Sequence, residues 1–200
     1  MRTIVIDLLR HGVHNNDYMT ALGLDQVEAS VRAHLHDVEL DGAFHSEKNR
    51  AQEAVAHALL ALHQRKVIMA QHGAFTVDGF FEGDIGADLH AAFEVIGDGA
   101  TMGELIETWG AGETARNQVQ SGLVGIATEL SSLDPDKRSH HALVGYHGPL
   151  MGIAAVDTNT MPADFGFADI VRYTLENRDG QGWEIVSSTH LKCPLMSIVS

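Results

Sequence analysis

Two hydrophobic rhythms alternate along most of the chain. Residues 3–9 (TIVIDLL) form a short β-branched run closed by Arg10-His11-Gly12, the pattern of a buried strand that ends in a tight turn. Behind Thr20, the apolar residues Leu24, Val27, Val31, Leu35 and Val38 recur at three- and four-residue steps. That spacing predicts a helix capped by the threonine hydroxyl. A brief strand follows at 42–46 (GAFHS), then a helix at 51–62 with Val55, Leu59 and Leu62 on one stripe, then a third strand at 66–70 (KVIMA).

From Gln71 to about Glu113 the rhythm breaks into a glycine-rich, acidic segment with two short amphipathic stretches, at 89–96 and 102–109. It is expected to be an insertion that caps one end of the sheet, where irregular backbone commonly carries binding function. Regular structure resumes with a helix at 115–133, ended by Asp134-Pro135, and a strand at 141–146 (HALVGY) running into His147-Gly148. Pro149 at a first turn predicts one more helix. Two alternating strands, at 168–176 and 182–188, flank Asp179-Gly180-Gln181-Gly182 as a hairpin.

Strands alternating with helices predict an α/β three-layer sandwich: a mostly parallel central sheet with an antiparallel edge strand, helices on both faces and an inserted cap. Residues 1–200 are expected to form one domain, with the cap at about 71–113. In such sheets ligands sit beyond the carboxyl ends of the strands. His11 and His147 each follow a predicted strand, so both should meet at that edge.

Composition narrows the function classes. With 44% apolar residues and 4 prolines in 200 positions, the chain can bury a sizeable core. Its 13 Lys and Arg against 27 Asp and Glu give a formal net charge of -14, which disfavours nucleic acid and anionic membrane surfaces as partners. The single cysteine, Cys193, forms no internal bridge and is expected to be a small buried hydrophobe in a reducing compartment. The N-terminal run is interrupted by Asp7 and reads as a strand rather than a signal peptide, and no stretch of eighteen apolar residues exists. The expectation is a cytoplasmic protein.

The chemistry-bearing residues fall in four ordered pieces. Leu9-Arg10-His11-Gly12 precedes Met19-Thr20-Ala21-Leu22-Gly23, then come Ser46-Glu47-Lys48-Asn49-Arg50-Ala51, Gly145-Tyr146-His147-Gly148, and a run from Trp183 to Ser188-Thr189-His190-Leu191. Together, across nearly the whole chain, they resemble the signature of the histidine phosphatase (phosphoglycerate-mutase-like) superfamily, in its phosphatase branch. The resemblance implies that His11 is a phosphoryl-accepting nucleophile and that Arg10, Arg50 and His147 bind the phosphate. It also implies a general acid in an E-x-x-x-G segment, which Glu82-Gly83-Asp84-Ile85-Gly86 matches, with Asp84, Asp88 and Glu104 as rivals to Glu82.

Elementary chemistry agrees with those roles. A neutral imidazole is a good nucleophile towards phosphorus, and neighbouring guanidiniums keep it neutral by disfavouring a further positive charge. Guanidinium forks match phosphoryl oxygens and spread transition-state charge. A carboxylic acid near the leaving oxygen would neutralise the departing alkoxide. Taken singly, each of these residues also has a purely structural explanation: a histidine satisfying a strand end, surface ion pairs, a solvated acidic loop.

The chain departs from the family pattern after Gly12, where Val13-His14-Asn15-Asn16-Asp17 makes a compressed loop. Asn15 or Asn16 is placed to donate to phosphate, and Asn16 is taken as a phosphate-binding residue; His14 has no family role. The leading reading is a metal-independent phosphomonoesterase, without cofactor, acting through a phosphohistidine on a small-molecule phosphate ester. Three alternatives stand beside it: a phosphoglycerate-type mutase, a protein phosphohistidine phosphatase, and a non-catalytic phosphate-binding module. A homodimer is left open. The candidate metal pairs His11/His14, His34/His36 and His140/His141 lack the spacing of a zinc module. Tyr146, Phe80, Phe81 and Trp109 are candidates to line the pocket, against ordinary core packing.

Overall fold

The computed structural model describes residues 1–76, 80, 83–178 and 180–195. Its central sheet has six strands in the order β5-β4-β6-β1-β7-β8. These are β1 (Arg2–Arg10), β4 (Gly42–His45), β5 (Met69–Gln71), β6 (Ser139–Tyr146), β7 (Ile170–Asn177) and β8 (Trp183–Leu191). A separate two-stranded ribbon joins β2 (His14–Asn15) to β3 (Tyr18–Met19). Strand β6 lies between β1 and β4 and is parallel to both, β5 is parallel to β4, and β7 is antiparallel to both β1 and β8. The sheet therefore ends in the antiparallel hairpin that the strand pattern near its carboxyl terminus indicated.

Period-2 alternation splits each central strand between two apolar layers. Ile4, Ile6 and Leu8 of β1, Ala142 and Val144 of β6, and Val171 and Tyr173 of β7 face one side. There they meet Val119, Leu123, Ile126 and Leu130, one stripe of α5 (Gly112–Leu133). Leu9, Ala43, Leu143 and Ile170 face the other side and meet α1 (Ala21–Leu35) and α2 (Asn49–Ala61) through Val27, Val31, Val55 and Ala58. Helices α3 (Gly83–Ile96) and α4 (Met102–Thr108) supply Leu89, Ala92, Met102 and Leu105 to the first layer.

Three expectations change. The strand expected at 66–70 is β5, Met69–Gln71: Lys66 lies in a turn, and β4 offers only Ala43, Phe44 and His45 as pairing partners. The helix expected from Pro149 is a single 3-10 turn, Pro149–Met151. Leu150, Met151, Ile153, Ala154 and Ala155 are all buried, so the segment has no polar face with which to run as a surface helix. Instead it packs as irregular chain, with the Tyr173 hydroxyl donating to the Met151 carbonyl at 2.6 Å. Finally, Tyr146, Phe80 and Trp109 belong to the first apolar layer rather than to a pocket lining; Phe81 lies outside the described residues.

Two glycines bring the functional segments together. A Cβ on Gly12 would stand 2.1 Å from the Gly23 carbonyl oxygen, so the turn after β1 lies backbone to backbone on the start of α1. A Cβ on Gly145 would stand 2.3 Å from the Ala51 carbonyl oxygen, so the first turn of α2 lies directly on the end of β6.

Candidate active site

Parallel pairing sets the carboxyl ends of β1, β6 and β4 side by side: Arg10 is opposite Tyr146, and His45 is opposite Gly145. The next residues in each segment are His11, His147 and Ser46. Arg50, in the first turn of α2, is delivered to the same edge by the Gly145 contact. The His11 and His147 rings lie 5.4 Å apart between centroids, tilted by 59°.

Two hydrogen bonds fix the tautomer of His11. Its Nδ1 is 2.9 Å from the Gly12 carbonyl, which can only accept, so Nδ1 carries the proton. Arg50 Nε–H in turn donates to His11 Nε2 at 3.2 Å, which requires a lone pair there. Burial, opposed by the Gly12 carbonyl and reinforced by Arg50, His14 and Arg10, takes the His11 pKa down to about 3. His147 is likewise held well below its ordinary value, by burial first and then by His11 and Arg50. Its Nε2 is hydrogen-bonded to Ser46 Oγ at 2.7 Å. The site thus presents neutral imidazoles beside cationic guanidiniums.

Arg10 extends across the Phe167 ring, with Cζ 4.7 Å from the centroid, and its Nη1 lies 3.7 Å from the Asp164 carboxylate. The same ring lies 6.2 Å from that of His11. Arg10 Nε is buried with no hydrogen-bond partner among the described residues. A buried N–H in this state has donor capacity to offer an incoming acceptor.

The compressed loop is the β2–β3 ribbon. Its turn places Asn16 at φ 54, and the ribbon is tied down by Met19 N–H donating to Glu53 Oε2 at 2.7 Å and by Thr20 Oγ donating to the Val13 carbonyl at 3.0 Å. Thr20 also caps α1, accepting from Gly23 N–H at 3.1 Å, as its position in the sequence indicated. Asn16 reaches the site through its main chain: its carbonyl accepts from His14 Nδ1 at 2.9 Å and from Arg50 Nη1 at 3.5 Å. The carboxylate beside Arg50 belongs to Asp17, 3.5 Å from Nη1, which also accepts from Asn49 N–H at 3.3 Å. The ring of His14 meets that of His11 edge-on at 4.6 Å.

Glu82 lies outside the described residues. Of its rivals, Asp84 and Asp88 are exposed, and Glu104 is committed elsewhere. The Glu104 carboxylate accepts from Thr101 N–H at 2.8 Å while Thr101 Oγ accepts from Glu104 N–H, a capping box that starts α4. The adjacent histidines go separate ways: His141 pairs with Asp7, His140 stands near Asp41, His34 bonds the Lys192 carbonyl and His36 pairs with Asp37. Cys193 is buried, its Sγ donating to the Gln26 carbonyl at 3.5 Å. Ser46, Asp17, Asp164 and Phe167 join the site without having been singled out as functional residues. For Ser46, the signal was its position opening the segment that carries Arg50.

No family model matches the chain, and no curated protein matches it. Among solved structures, it aligns with phosphoglycerate mutase from Bacillus anthracis str. Sterne at a TM-score of 0.60, covering 93% of this chain and 92% of that one at 16% identity. This is the phosphoglycerate mutase fold. The same fold relates the chain to the mycobacterial glucosyl-3-phosphoglycerate phosphatase, with a TM-score of 0.55, 16% identity, and 93% and 97% of the two chains covered. The Bacillus stearothermophilus protein YhfR aligns at 0.53, also at 16% identity, over 92% and 96%. Both mutases and phosphatases thus use the phosphoglycerate mutase fold that this chain adopts, and no helix among the described residues is long and apolar enough to cross a membrane.

Proposed function

We propose that the protein is a metal-independent phosphomonoesterase that works through a phosphohistidine on His11. One observation carries the reading: the unprotonated Nε2 of His11, its tautomer fixed from both sides, stands against the Arg50 guanidinium with His147 beside it. An uncharged imidazole lone pair next to a fixed cation suits attack on a phosphoryl group whose oxygens carry the negative charge.

In the proposed sequence, Arg50 Nε–H turns from His11 Nε2 to a phosphoryl oxygen as the ester binds, and the freed Nε2 lone pair forms a bond to phosphorus as the bond to the ester oxygen breaks. The departing alkoxide takes a proton from a carboxylic acid, assigned to Glu82. The phosphorylated imidazole keeps its Nδ1 proton, so it gains positive charge, which the Gly12 carbonyl stabilises by accepting the existing hydrogen bond from Nδ1–H. Water, deprotonated by the same carboxylate, then attacks phosphorus, the P–N bond breaks and inorganic phosphate leaves. Arg10, Arg50 and His147 hold the phosphoryl oxygens throughout, and Asn16 lies on the rim. A small phosphorylated metabolite in a reducing, cytoplasmic setting is the substrate class and location this reading takes.

His11→Ala tests it. The variant removes the nucleophile from a side chain that contributes little to either apolar layer, so the fold should persist while p-nitrophenyl phosphate hydrolysis is lost. Parent-like hydrolysis by His11→Ala would exclude the mechanism. Phosphorus NMR of 2- or 3-phosphoglycerate incubated with the parent separates phosphate release, which is expected, from isomerisation by a mutase.

A further inference from the structure

Arg10 and Arg50 are held at the site in opposite ways. Arg50 is held by its N–H edge, with Nε donating to His11 and Nη1 to the Asn16 carbonyl and Asp17. Arg10 is held by its face. Its Cζ lies 4.7 Å from the Phe167 centroid, and Gly148 borders it too, since a Cβ there would stand 3.8 Å from Cζ. Among the described residues, its buried Nε has no hydrogen-bond partner. The carboxylate paired with its edge, Asp164 at 3.7 Å from Nη1, has an 83% exposed side chain and is correspondingly screened.

The backbone is strained to put Phe167 there. Ala168 has φ 58, a left-handed conformation that an alanine keeps only where its surroundings impose it. Ala168 N–H donates to the His11 carbonyl at 3.2 Å and Arg10 N–H to the Asp169 carbonyl at 2.9 Å, so the segment before β7 is stitched to the end of β1. The Asp169 carboxylate then locks the turn. Its Oδ2 accepts from Gly166 N–H at 2.9 Å and is bonded to His190 Nε2 at 2.7 Å, while Oδ1 accepts from Cys193 N–H at 2.8 Å. Phe167 stands between these tied residues, and its ring also lies 6.2 Å from that of His11 and 6.1 Å from that of His14.

A guanidinium carries its donors in its plane and offers its face to an aromatic ring, so a ring fixes it without using a donor. A carboxylate in the place of the ring would occupy the edge that an oxyanion needs. We infer that Phe167 is a positioning residue, which holds the Arg10 guanidinium by its face and keeps the N–H edge, Nε–H included, for the phosphoryl oxygens. The inference rests on the phosphate-pocket reading above and adds to it how one of the two arginines is readied. Without the ring the guanidinium swings towards Asp164 and solvent, and that freedom is lost again each time phosphate binds.

The test uses inorganic phosphate, the product of the proposed reaction, and the full chain. Its affinity is measured by calorimetry in the parent, in Phe167→Leu, which keeps an apolar side chain without a π face, and in Phe167→Tyr, which keeps the face. Circular dichroism verifies that each variant is folded at the temperature of the assay. Phosphate should bind about tenfold more weakly to Phe167→Leu and as in the parent to Phe167→Tyr, with kcat/KM on p-nitrophenyl phosphate following the same order. In the parent alone, the Arg10 Nε–H resonance, assigned through its own backbone by NMR, should move downfield as phosphate is added. Parental affinity in Phe167→Leu would overturn the inference, as would a Phe167→Tyr variant as weak as Phe167→Leu, which would reduce the ring to packing. An Nε–H signal that stays put while the parent binds phosphate would overturn it as well, and would leave the phosphate pocket standing. If the parent binds no phosphate, the pocket reading itself falls, and this inference with it.

Discussion

Gly145→Ala perturbs the site without touching any of its side chains. The added Cβ would stand 2.3 Å from the Ala51 carbonyl oxygen and 2.7 Å from Val55 Cγ2, against about 3.4 Å for ordinary contact, and neither the β6 backbone nor the first turn of α2 can yield separately. Relief requires α2 to move off the sheet by about 1 Å, carrying Arg50 with it. Overpacking of this kind costs about 1–3 kcal/mol, which for a chain of this size lowers Tm by about 2–4 °C per kcal/mol. The functional effect is larger in proportion. The 3.2 Å bond from Arg50 Nε to His11 Nε2 would open past hydrogen-bonding range, and a displacement of about 1 Å at a positioning group costs up to about a hundredfold in rate. Denaturant unfolding gives the first quantity, and kcat on p-nitrophenyl phosphate, measured well below the variant's Tm, gives the second. A variant that loses stability but keeps parental kcat would refute the claim that α2 packing on Gly145 positions Arg50.

Other consequences follow from the same geometry. Asp7, fully buried, accepts from Arg172 at 2.8 and 3.0 Å and is bonded to His141 at 2.6 Å; Asp7→Asn leaves the Arg172 guanidinium short of a counter-charge and should cost about 2–4 kcal/mol, Arg172 keeping some solvent, while kcat at low temperature is unchanged. Because the folded protein keeps His11 neutral down to about pH 3 while the unfolded chain protonates near its ordinary 6.5, unfolding takes up a proton between those values. Stability should therefore fall as pH drops below 6.5, and the fall should be shallower in His11→Asn when Tm is followed by calorimetry. Glu104→Gln keeps an acceptor for the Thr101 N–H and should leave both denaturant unfolding and kcat little changed; a large loss of kcat would return Glu104 to the list of proton donors. Glu82→Gln should slow phosphohistidine formation from alkyl phosphates by about 10² to 10⁴ while sparing that step for esters with good leaving groups, as a plot of burst rate against leaving-group pKa would reveal, and should slow the later release of phosphate from every ester.

What could be read from the sequence, and what could not, divides along physical lines. Strongly periodic segments with punctuation at both ends were legible: Thr20 caps α1, Asp134 closes α5, and the alternation around Gly180 and Gly182 is the β7–β8 hairpin. Where periodicity and burial part company, the reading failed. The segment after Pro149 is apolar at nearly every position, and such a run has no phase from which to tell a helix from packed irregular chain. The strand at 66–70 was misplaced because the length of an edge strand is set by its partner, here the four residues of β4, and not by its own composition. In the site, the convergence of Arg10, His11, Arg50 and His147 was foreseeable because each follows or opens an element at one sheet edge. The pairing of Asp17 with Arg50 was not. It depends on the Asn16 turn at φ 54 and on Glu53 anchoring the ribbon, contacts with no local sequence signal.

Trapping the covalent intermediate tests the central claim most directly. The protein is mixed with a labelled phosphate ester, quenched in base, where a phosphoramidate survives and an acyl phosphate does not, and mapped by peptide mass spectrometry. The account predicts one phosphoryl group on His11, attached at Nε2, absent from His11→Ala and lost on the timescale of turnover. Turnover with no label on His11 in the quenched parent, or label on His14 or His147 instead, would contradict it.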